Sequence, residues 1–362
     1  MTQLSRRKFL KVSAAGTATA VLAGCGAERW VELVPYVEAP EEQMAGVATY
    51  FATTCRLCPA GCGVLVKTMN GRAIMIQGNP EHPVNRGRLC ARGHSGLQIL
   101  YNPDRFTGAA EQSERGSREY QPIAWNDGIN RLYEALNGAG SRVGIWLGST
   151  TPGHLVELFT MFAEAIGAEP PVRADLYTLY NGYNVLEATN GELLGSARLP
   201  VYDVANADVV FSFGADWLGT WLNTTGYNLA YSQFRSGPFG QRGYFVQFEP
   251  RMTNTGAAAD RWVPVRPGDE AQVAQALLRL IADEGFGSEE RVAAAQAVAT
   301  DVDVEAVAAA CHLTVEQLAT LARTFAEAPR PLALPGASLA GRDNASAAVA
   351  AVQALNLIAG TI

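Results

Sequence analysis

The chain has 362 residues, of which 48% are hydrophobic and 17% charged; this is ordinary globular composition and enough length for about two domains. Its net charge of −7 argues against a nucleic-acid partner. No uninterrupted apolar run reaches the ~18 residues that a membrane-spanning helix needs, so the sequence excludes an integral membrane protein.

Residues 1–24 have the pattern of a twin-arginine signal peptide. Arg6 and Arg7 precede an apolar run of small residues, "VSAAGTATAVLAG", and the run ends in "LAGC", which resembles a lipobox. This predicts lipidation of Cys25, with an ordinary cleavage site beside an incidental cysteine as the alternative. Because this route exports folded proteins, it favours a cofactor inserted beforehand. We expect a lipid-anchored protein on the outer face of the bacterial cytoplasmic membrane.

Residues 25–45 contain Pro35 and Pro40, and their apolar residues show no clear helical or strand periodicity. We therefore predict an extended tether. A small domain is predicted next, over residues 46–110. Within it, the pair Asn70-Gly71 between two apolar runs is a strong signal for a type I′ hairpin.

Four of the six cysteines fall in this small domain, at Cys55, Cys58, Cys62 and Cys90. Three of them are so close in sequence that their sulfurs must be neighbours. A loop containing Pro, Asn and Gly then brings the fourth, Cys90, back toward these three. Four thiolates suit a [4Fe–4S] cluster or structural zinc. The 3+1 spacing favours the cluster, because structural zinc usually takes two separate Cys pairs. Zinc and disulfides remain alternatives.

Arg92 follows the last of these cysteines by two residues and would place a positive charge beside an anionic cluster. Such a charge would raise the reduction potential, although a plain surface arginine is the alternative. His94 could also tune the cluster or be a solvated loop residue. Cys311, in "VAAACHL", is predicted to be a buried small side chain on a helix.

From about residue 120, predicted helices alternate with apolar strands, and residues 111–362 form the second predicted region. Short continuous apolar runs are expected for strands buried on both faces, and the alternation predicts an α/β fold with a doubly wound parallel sheet. The strands are predicted over "RVGIWLGS", "ADVVFSFGADW", "RGYFVQFEPR" and "RPLALPG". The helices are predicted over "DGINRLYEALNG", "HLVELFTMFAEAIG", 270–284, 289–299, 314–327 and "NASAAVAAVQALNLI".

The cysteine pattern together with "GNPEHPVNRGRLCARG", "LYNPDR" and "EPRMTNTGAAADRWVPVRPG" resembles the molybdopterin oxidoreductase superfamily over about residues 50–362. Two stretches, "VPYVEAPEEQMAGVATYFATTC" and "FSFGADWLGTW", are most similar to the large iron–sulfur subunit of alternative complex III, a quinol-oxidising membrane assembly. The resemblance implies a β-rich iron–sulfur domain before the α/β region. It also implies that the region is C-terminally incomplete, as a fragment or a split gene. The implied partners are a multihaem cytochrome, an integral quinol-binding subunit and a ferredoxin-like four-cluster domain or chain.

Catalytic members of the superfamily supply a Cys, selenocysteine, Ser or Asp ligand to molybdenum. The corresponding stretch here, "ADLYTLYNGYNVLEATNGELLG", contains no cysteine; Asp175 is a candidate of a ligand type, and Ser196 lies just beyond. We therefore expect an electron-transfer or scaffold subunit of a quinol:electron acceptor oxidoreductase, without molybdenum.

Two alternatives remain. One is a fragment of a molybdopterin-dependent enzyme similar to formate dehydrogenase or polysulfide reductase, in which Gly148, Gly214 and Gly268 would hold the phosphates of molybdopterin guanine dinucleotide. The other is a structural module whose site is vestigial or filled by zinc.

Overall fold

The computed structural model describes residues 46–148, 150–174, 181–238, 242–299, 301–340 and 344–361. The signal peptide, the tether with Cys25, and Asp175 lie outside these residues. The chain divides into two units. The described part of the first is residues 46–51 and 67–75, and the second comprises residues 52–66 and those from 76 onward. The domain boundary between residues 110 and 111 stays a prediction.

The described strands form four sheets. β1, β2 and β3 form one sheet in sequence order, β4 pairs with β5, β6 pairs with β7, and the remaining four strands form the largest sheet. The strands are β1 Ala48–Thr54, β2 Gly63–Met69, β3 Arg72–Gly78, β4 Ala110–Gln112, β5 Tyr120–Pro122, β6 Trp146–Leu147, β7 Val172–Arg173, β8 Val209–Phe213, β9 Tyr244–Glu249, β10 Arg261–Pro264 and β11 Pro331–Pro335.

The described helices follow the last cysteine of the small domain and then alternate with strands. They are α1 Ala91–His94, α2 Gly96–Leu100, α3 Trp125–Leu136, α4 Gly153–Ile166, α5 Tyr183–Leu194, α6 Thr224–Phe234, α7 Asn254–Ala257, α8 Glu270–Asp283, α9 Glu289–Val298, α10 Val304–Ala310, α11 Val315–Ala326, α12 Ala337–Ala340 and α13 Ala345–Ala359. Short 3₁₀ turns occur at Gly140–Arg142 and Val204–Asn206. Among the described helices, none has the length and apolar character to cross a bilayer.

In the first unit, the turn between β2 and β3 has the predicted type I′ conformation. Asn70 and Gly71 both have positive φ, 49° and 76°, as this turn requires. The Asn70 side-chain oxygen accepts a hydrogen bond from the Gly46 N–H at 3.1 Å. The hairpin prediction is therefore confirmed.

The largest sheet, in the second unit, is parallel throughout and has the strand order β10-β9-β8-β11. β8 and β11 are buried at every position, and β9 at all but its first. Side chains of a strand point alternately to the two faces of the sheet. Accordingly, Phe211 and Phe213 belong to one hydrophobic core and Val210 to the other.

The two cores lie on opposite faces of this sheet. The first contains Leu277 from α8 and Phe325 from α11. The second contains Trp217 and Trp221, from the loop after β8, together with Tyr227 from α6. Helices covering both faces of a parallel sheet confirm the predicted doubly wound fold.

Most predicted elements are present, but the described residues 142–148 of the first predicted strand form only the two-residue strand β6, which pairs with the equally short β7. The helix predicted next is α4, and its apolar face is less covered than expected. Leu158 is 57% exposed and Phe162 is 38% exposed. A two-stranded ribbon of this size offers little surface against which such a face could pack. Helices α5, α6 and α10 were not predicted.

Asn356 on α13 fixes this helix against the edge strand β11. The fully buried Asn356 side chain accepts from the Ala333 N–H at 2.7 Å and donates to the Ala333 carbonyl at 2.9 Å. We expect Asn356→Ala to lower the free energy of unfolding by about 2–4 kcal/mol, because it leaves a buried donor and acceptor without partners. The exposed Asn344, which makes no side-chain cap bond, provides the control Asn344→Ala. Equal urea midpoints for the two variants would contradict this role.

Candidate metal centre

The four cysteines of the small domain line one hollow in the second unit. Cys55, Cys58, Cys62 and Cys90 all contribute to its wall. Cys62 is 5% exposed, and the Cys55 N–H donates to the Cys62 carbonyl at 2.8 Å, which closes the loop between them. All five cysteines in the described part of the chain are free thiols.

The fifth thiol lies elsewhere. Cys311, at the end of α10, is 2% exposed and belongs to the first hydrophobic core. Burial raises its pKa to about 11, and the nearby Asp269 carboxylate acts in the same direction. The prediction that Cys311 is a buried small side chain is confirmed.

The thiols that line the hollow affect one another's pKa. Burial raises the pKa of the Cys58 thiol, and Cys55 and Cys90 raise it further. A hydrogen bond from the Ala60 backbone and the charge of Arg92 oppose this rise without cancelling it. Free thiolates are therefore disfavoured here, and a bound cationic metal core would reverse that preference.

Cys62 has one additional partner. Burial raises the pKa of its thiol, while a hydrogen bond from the Thr225 hydroxyl lowers it. The other three thiols act to raise it. Thr225 is thus a direct neighbour of one of the four sulfurs, although it lies far away in sequence.

Asn85 joins the two loops that carry the cysteines. Its fully buried side chain accepts from the Gly63 N–H at 2.8 Å and donates to the Gly63 carbonyl at 2.9 Å. The same amide donates to the Arg88 carbonyl at 2.6 Å. One side chain therefore fixes the residue after Cys62 relative to the residues just before Cys90. Sequence reasoning missed it, because a single Asn in a loop with Pro and Gly reads as a turn residue.

Close packing next to Cys62 explains the glycine that follows it. A Cβ atom on Gly63 would lie 2.2 Å from Cγ of His82, so no larger residue fits without displacing the ring. Gly78 is similarly close to the Gly87 carbonyl oxygen, 2.4 Å from a Cβ placed there. The loop before Cys90 therefore packs directly on β2 and β3.

The α/β region supplies another wall of the hollow. Thr224 and Thr225, the first two residues of α6, line it. Asn223 is the N-cap of this helix, and its side-chain oxygen accepts from the Gly226 N–H at 3.0 Å. Its amide also donates to the Val84 carbonyl at 3.2 Å. The sequence "NTT" before a helical stretch signals an N-cap, but nothing in it indicates that the helix begins beside the cysteines.

Arg92 and His94 lie on the short helix α1, whose N-cap is Cys90. Arg92 lines the hollow, at the position where its charge affects Cys58. His94 instead directs Nδ1 at the Ile76 carbonyl, 3.0 Å away. The structure thus brings Arg92, and not His94, to the hollow.

Four of the residues weighed for a molybdenum or pterin site are described, and none is among the residues that line this hollow. Ser196 is exposed in the loop after α5, and Gly148 follows β6. Gly214 follows β8 with φ of 69°, and a Cβ there would lie 1.6 Å from the Ser338 hydroxyl. Gly268, with φ of 99°, donates its N–H to Glu270 at 2.8 Å. Turn geometry therefore explains why both positions are glycine, and close packing is a second reason at Gly214.

The donor set of the hollow is composed of thiols, with no carboxylate or imidazole among its lining residues. In the described residues, no three His, Cys, Asp or Glu side chains are grouped to hold a single metal ion. Four thiols around one hollow fit a [4Fe–4S] cluster, in which each thiolate binds a different iron. Cys55, Cys58, Cys62 and Cys90 would be its ligands.

Residues 48–102 match the family model described as the molybdopterin oxidoreductase Fe4S4 domain. The chain is also 29% identical over 321 residues to the menaquinone reductase molybdopterin-binding-like subunit of Nitratidesulfovibrio vulgaris, covering 88% of this chain and 45% of that protein. The predicted resemblance to the molybdopterin oxidoreductase superfamily is confirmed. The Fe4S4 match supports a [4Fe–4S] cluster in this chain.

Further relatives agree with the superfamily assignment. The arsenate respiratory reductase molybdopterin-containing subunit of a Shewanella species is 27% identical over 309 residues, covering 78% of this chain and 33% of that protein. Acetylene hydratase from Pelobacter acetylenicus has the same fold, with a TM-score of 0.71 at 17% identity, over 86% of this chain and 43% of that one. The chain spans less than half the length of these relatives.

Residues 3–23 match the twin-arginine translocation signal. The predicted export across the cytoplasmic membrane is thereby supported. Lipidation of Cys25 stays a prediction, since this residue lies outside both the match and the described part of the chain.

We expect Asn85→Ala to lower the iron content of the purified protein and to shorten the lifetime of its cluster in air. The reason is that both cysteine loops lose their shared anchor, and the buried Gly63 N–H and carbonyl lose their partner at a cost of about 1–3 kcal/mol. Iron analysis and the decay of absorbance near 400 nm measure the effect. The control is Asn102→Ala, at an exposed asparagine that only caps a local turn. Iron content and decay equal to those of the control would refute the role of Asn85.

Proposed function

We propose that this chain is the [4Fe–4S]-carrying electron-transfer subunit of a membrane-associated quinol:electron acceptor oxidoreductase. The observation that carries the proposal is the convergence of Cys55, Cys58, Cys62 and Cys90 on one hollow, with Arg92 beside it. A centre bound in this way can exchange single electrons without any substrate pocket of its own.

The bound cluster supplies one-electron transfer, and the residues of the chain determine where and how readily it occurs. The four thiolates hold the centre, and the loops around Asn85 keep their sulfurs in place. The positive charge of Arg92 favours the more negative, reduced state. No bond is made or broken in this subunit. A quinol oxidised in an integral subunit releases its protons there and delivers its two electrons one at a time, and a multihaem cytochrome accepts them.

The relative from Nitratidesulfovibrio vulgaris supports this placement, because its name describes it as a subunit of menaquinone reductase. We propose a comparable quinone-linked assembly here, with a ferredoxin-like four-cluster domain or chain as a further partner. A lipid on Cys25 would add membrane attachment on the outer face of the cytoplasmic membrane.

A molybdenum-free site forms part of this proposal, because the stretch that would supply the metal ligand contains no cysteine. A molybdopterin-dependent enzyme is the second candidate. It is favoured by relatives whose names describe molybdopterin-containing subunits, and in it Asp175 would be the candidate ligand.

Metal analysis of the anaerobically purified full chain, with its natural partners, distinguishes these candidates. We expect about four iron and four sulfide per chain without stoichiometric molybdenum. Stoichiometric molybdenum with pterin would overturn the molybdenum-free assignment in favour of the enzyme. Zinc in place of iron would instead indicate a structural module.

Two cysteine variants test whether the hollow holds the centre. We expect Cys62→Ala to lose iron and quinol-dependent electron flux. Cys311→Ala removes a thiol of similar burial from the helical core and should retain both. Unchanged iron and flux in the Cys62→Ala protein would contradict the proposal and leave a vestigial site.

A further inference from the structure

A cavity of about 500 Å³ lies in the second unit, next to the loop that carries Cys58 and Cys62. Its volume is within the range of about 300–1,000 Å³ that small-molecule sites have. Pro59 and Ala60, between these two cysteines, line it, and Ala60 also lines the hollow of the four thiols. Val201 lines the cavity too and is 93% exposed, so the cavity opens to solvent on that side. The cavity and the hollow are therefore neighbours that share Ala60 in their walls.

The wall of this cavity is mainly apolar. Side chains from the loop before Cys90, from the segment before β8 and from α6 form it, among them Val84, Leu199, Val204, Leu222 and Ala230. The charged residues among the described lining are Arg86 and Asp203, one of each sign. A mostly apolar wall with balanced charge favours a neutral, largely apolar ligand over a phosphate or a carboxylate.

Two buried tyrosines add hydrogen-bond donors to this wall. Tyr202 and Tyr227 both line the cavity. The Tyr227 hydroxyl accepts from the Tyr202 N–H at 3.3 Å, and the Tyr202 hydroxyl accepts from the Gln353 amide at 3.2 Å. Within the described part of the chain, neither hydroxyl has an acceptor for its own hydrogen. Burial raises the pKa of Tyr227 to about 12 and also raises the pKa of Tyr202, so both hydroxyls keep this hydrogen at neutral pH.

The rings of these tyrosines are already ordered by the protein. Trp221, which is almost fully buried, stacks on both of them, with ring centroids 5.8 Å from Tyr202 and 6.4 Å from Tyr227. A wall ordered in this way loses little conformational entropy when a ligand binds. Fixed hydroxyl donors in an apolar wall require a ligand with uncharged acceptors. A planar, apolar ring that carries carbonyl oxygens has this chemistry.

We propose that the cavity binds a quinone, with its carbonyl oxygens accepting from the Tyr202 and Tyr227 hydroxyls and its ring against the apolar wall. The inference goes beyond the proposed function, in which quinol is oxidised in an integral subunit. It gives this chain a quinone site of its own, on the other side of Ala60 from the four thiols. Binding at this site does not require a metal cluster.

The test is a calorimetric titration of the purified full chain with 2,3-dimethyl-1,4-naphthoquinone. Methyl groups block both reactive ring positions of this probe, so it does not add to the free thiols of the chain. We expect one probe to bind per chain. The hydrocarbon 2,3-dimethylnaphthalene, which lacks the carbonyls, should bind about tenfold more weakly or worse, because it leaves the two hydroxyls without acceptors. Equal affinity for the two compounds would overturn the assignment to a quinone, and so would the absence of probe binding.

Two variants test whether the probe binds in this cavity. Tyr227→Phe keeps the ring and removes one donor, and we expect about five- to tenfold weaker binding. Ala230→Phe fills the cavity from α6 and should abolish binding. The matched control is Tyr231→Phe on the same helix, because the Tyr231 hydroxyl donates to the Ala258 carbonyl at 2.8 Å and does not line the cavity. This control should bind the probe with wild-type affinity.

Wild-type affinity in either variant, with a native circular-dichroism spectrum, would overturn the inference. If Ala230→Phe does not fold, Tyr227→Phe decides alone. The outcome for the proposed function is measured separately. A chain that binds the probe but holds no iron would overturn the proposed function alone, whereas a chain whose cluster is reduced by quinol but which does not bind the probe would overturn this inference alone.

Discussion

The candidate metal centre of this protein depends on holding four partly or fully buried thiols around one hollow. Such sulfurs are poor thiolates by themselves, because burial and mutual repulsion both disfavour their negative charge, as the raised pKa values of Cys58 and Cys62 indicate. They must therefore be kept together by the surrounding protein until a cationic core binds. Asn85 does this for the backbone by joining Gly63 to Arg88.

The parallel sheet contributes to the same site through the loop that follows β8. Trp217 and Trp221 in this loop are fully or almost fully buried, and Asp216 accepts hydrogen bonds from Thr255 at 2.6 Å and from Thr220 at 3.0 Å. The loop is thus fixed on the carboxyl end of the sheet, where open α/β folds place their ligands. It leads directly into α6, so the core of the α/β region determines where the first turn of that helix lies.

Much of the fold could be predicted from the sequence because its signals are local. Asn70-Gly71 specified the hairpin, and the continuous apolar runs at 209–213 and 244–249 indicated strands buried on both faces. The strand predicted from residue 142 onward was too long, because within residues 142–148 only Trp146 and Leu147 find a partner strand, and that strand has two residues. An apolar run shows that a segment can form a strand, but its pairing depends on distant parts of the chain.

The residues of the candidate site also fall into two groups, those that the sequence predicted and those that only the folded structure revealed. The cysteines and Arg92 were found from their spacing, which is a local property. Asn85 and Asn223 were missed because they act over 22 and 139 residues of sequence, respectively, through contacts that exist only once the chain is folded. Thr225 was missed for the same reason. The local pattern identified what can bind the metal, whereas the residues that position the cysteine loops could be found only from the folded structure.

We propose that electrons from quinol pass through the centre held by Cys55, Cys58, Cys62 and Cys90. The most direct measurement is to mix the anaerobic, oxidised assembly with quinol, freeze samples at successive times and record the paramagnetic signal of the reduced cluster. We predict that the signal appears at least as fast as the assembly turns over, and that it is absent in the Cys62→Ala variant. A cluster that stays oxidised while quinol is consumed at the full rate would contradict the claim.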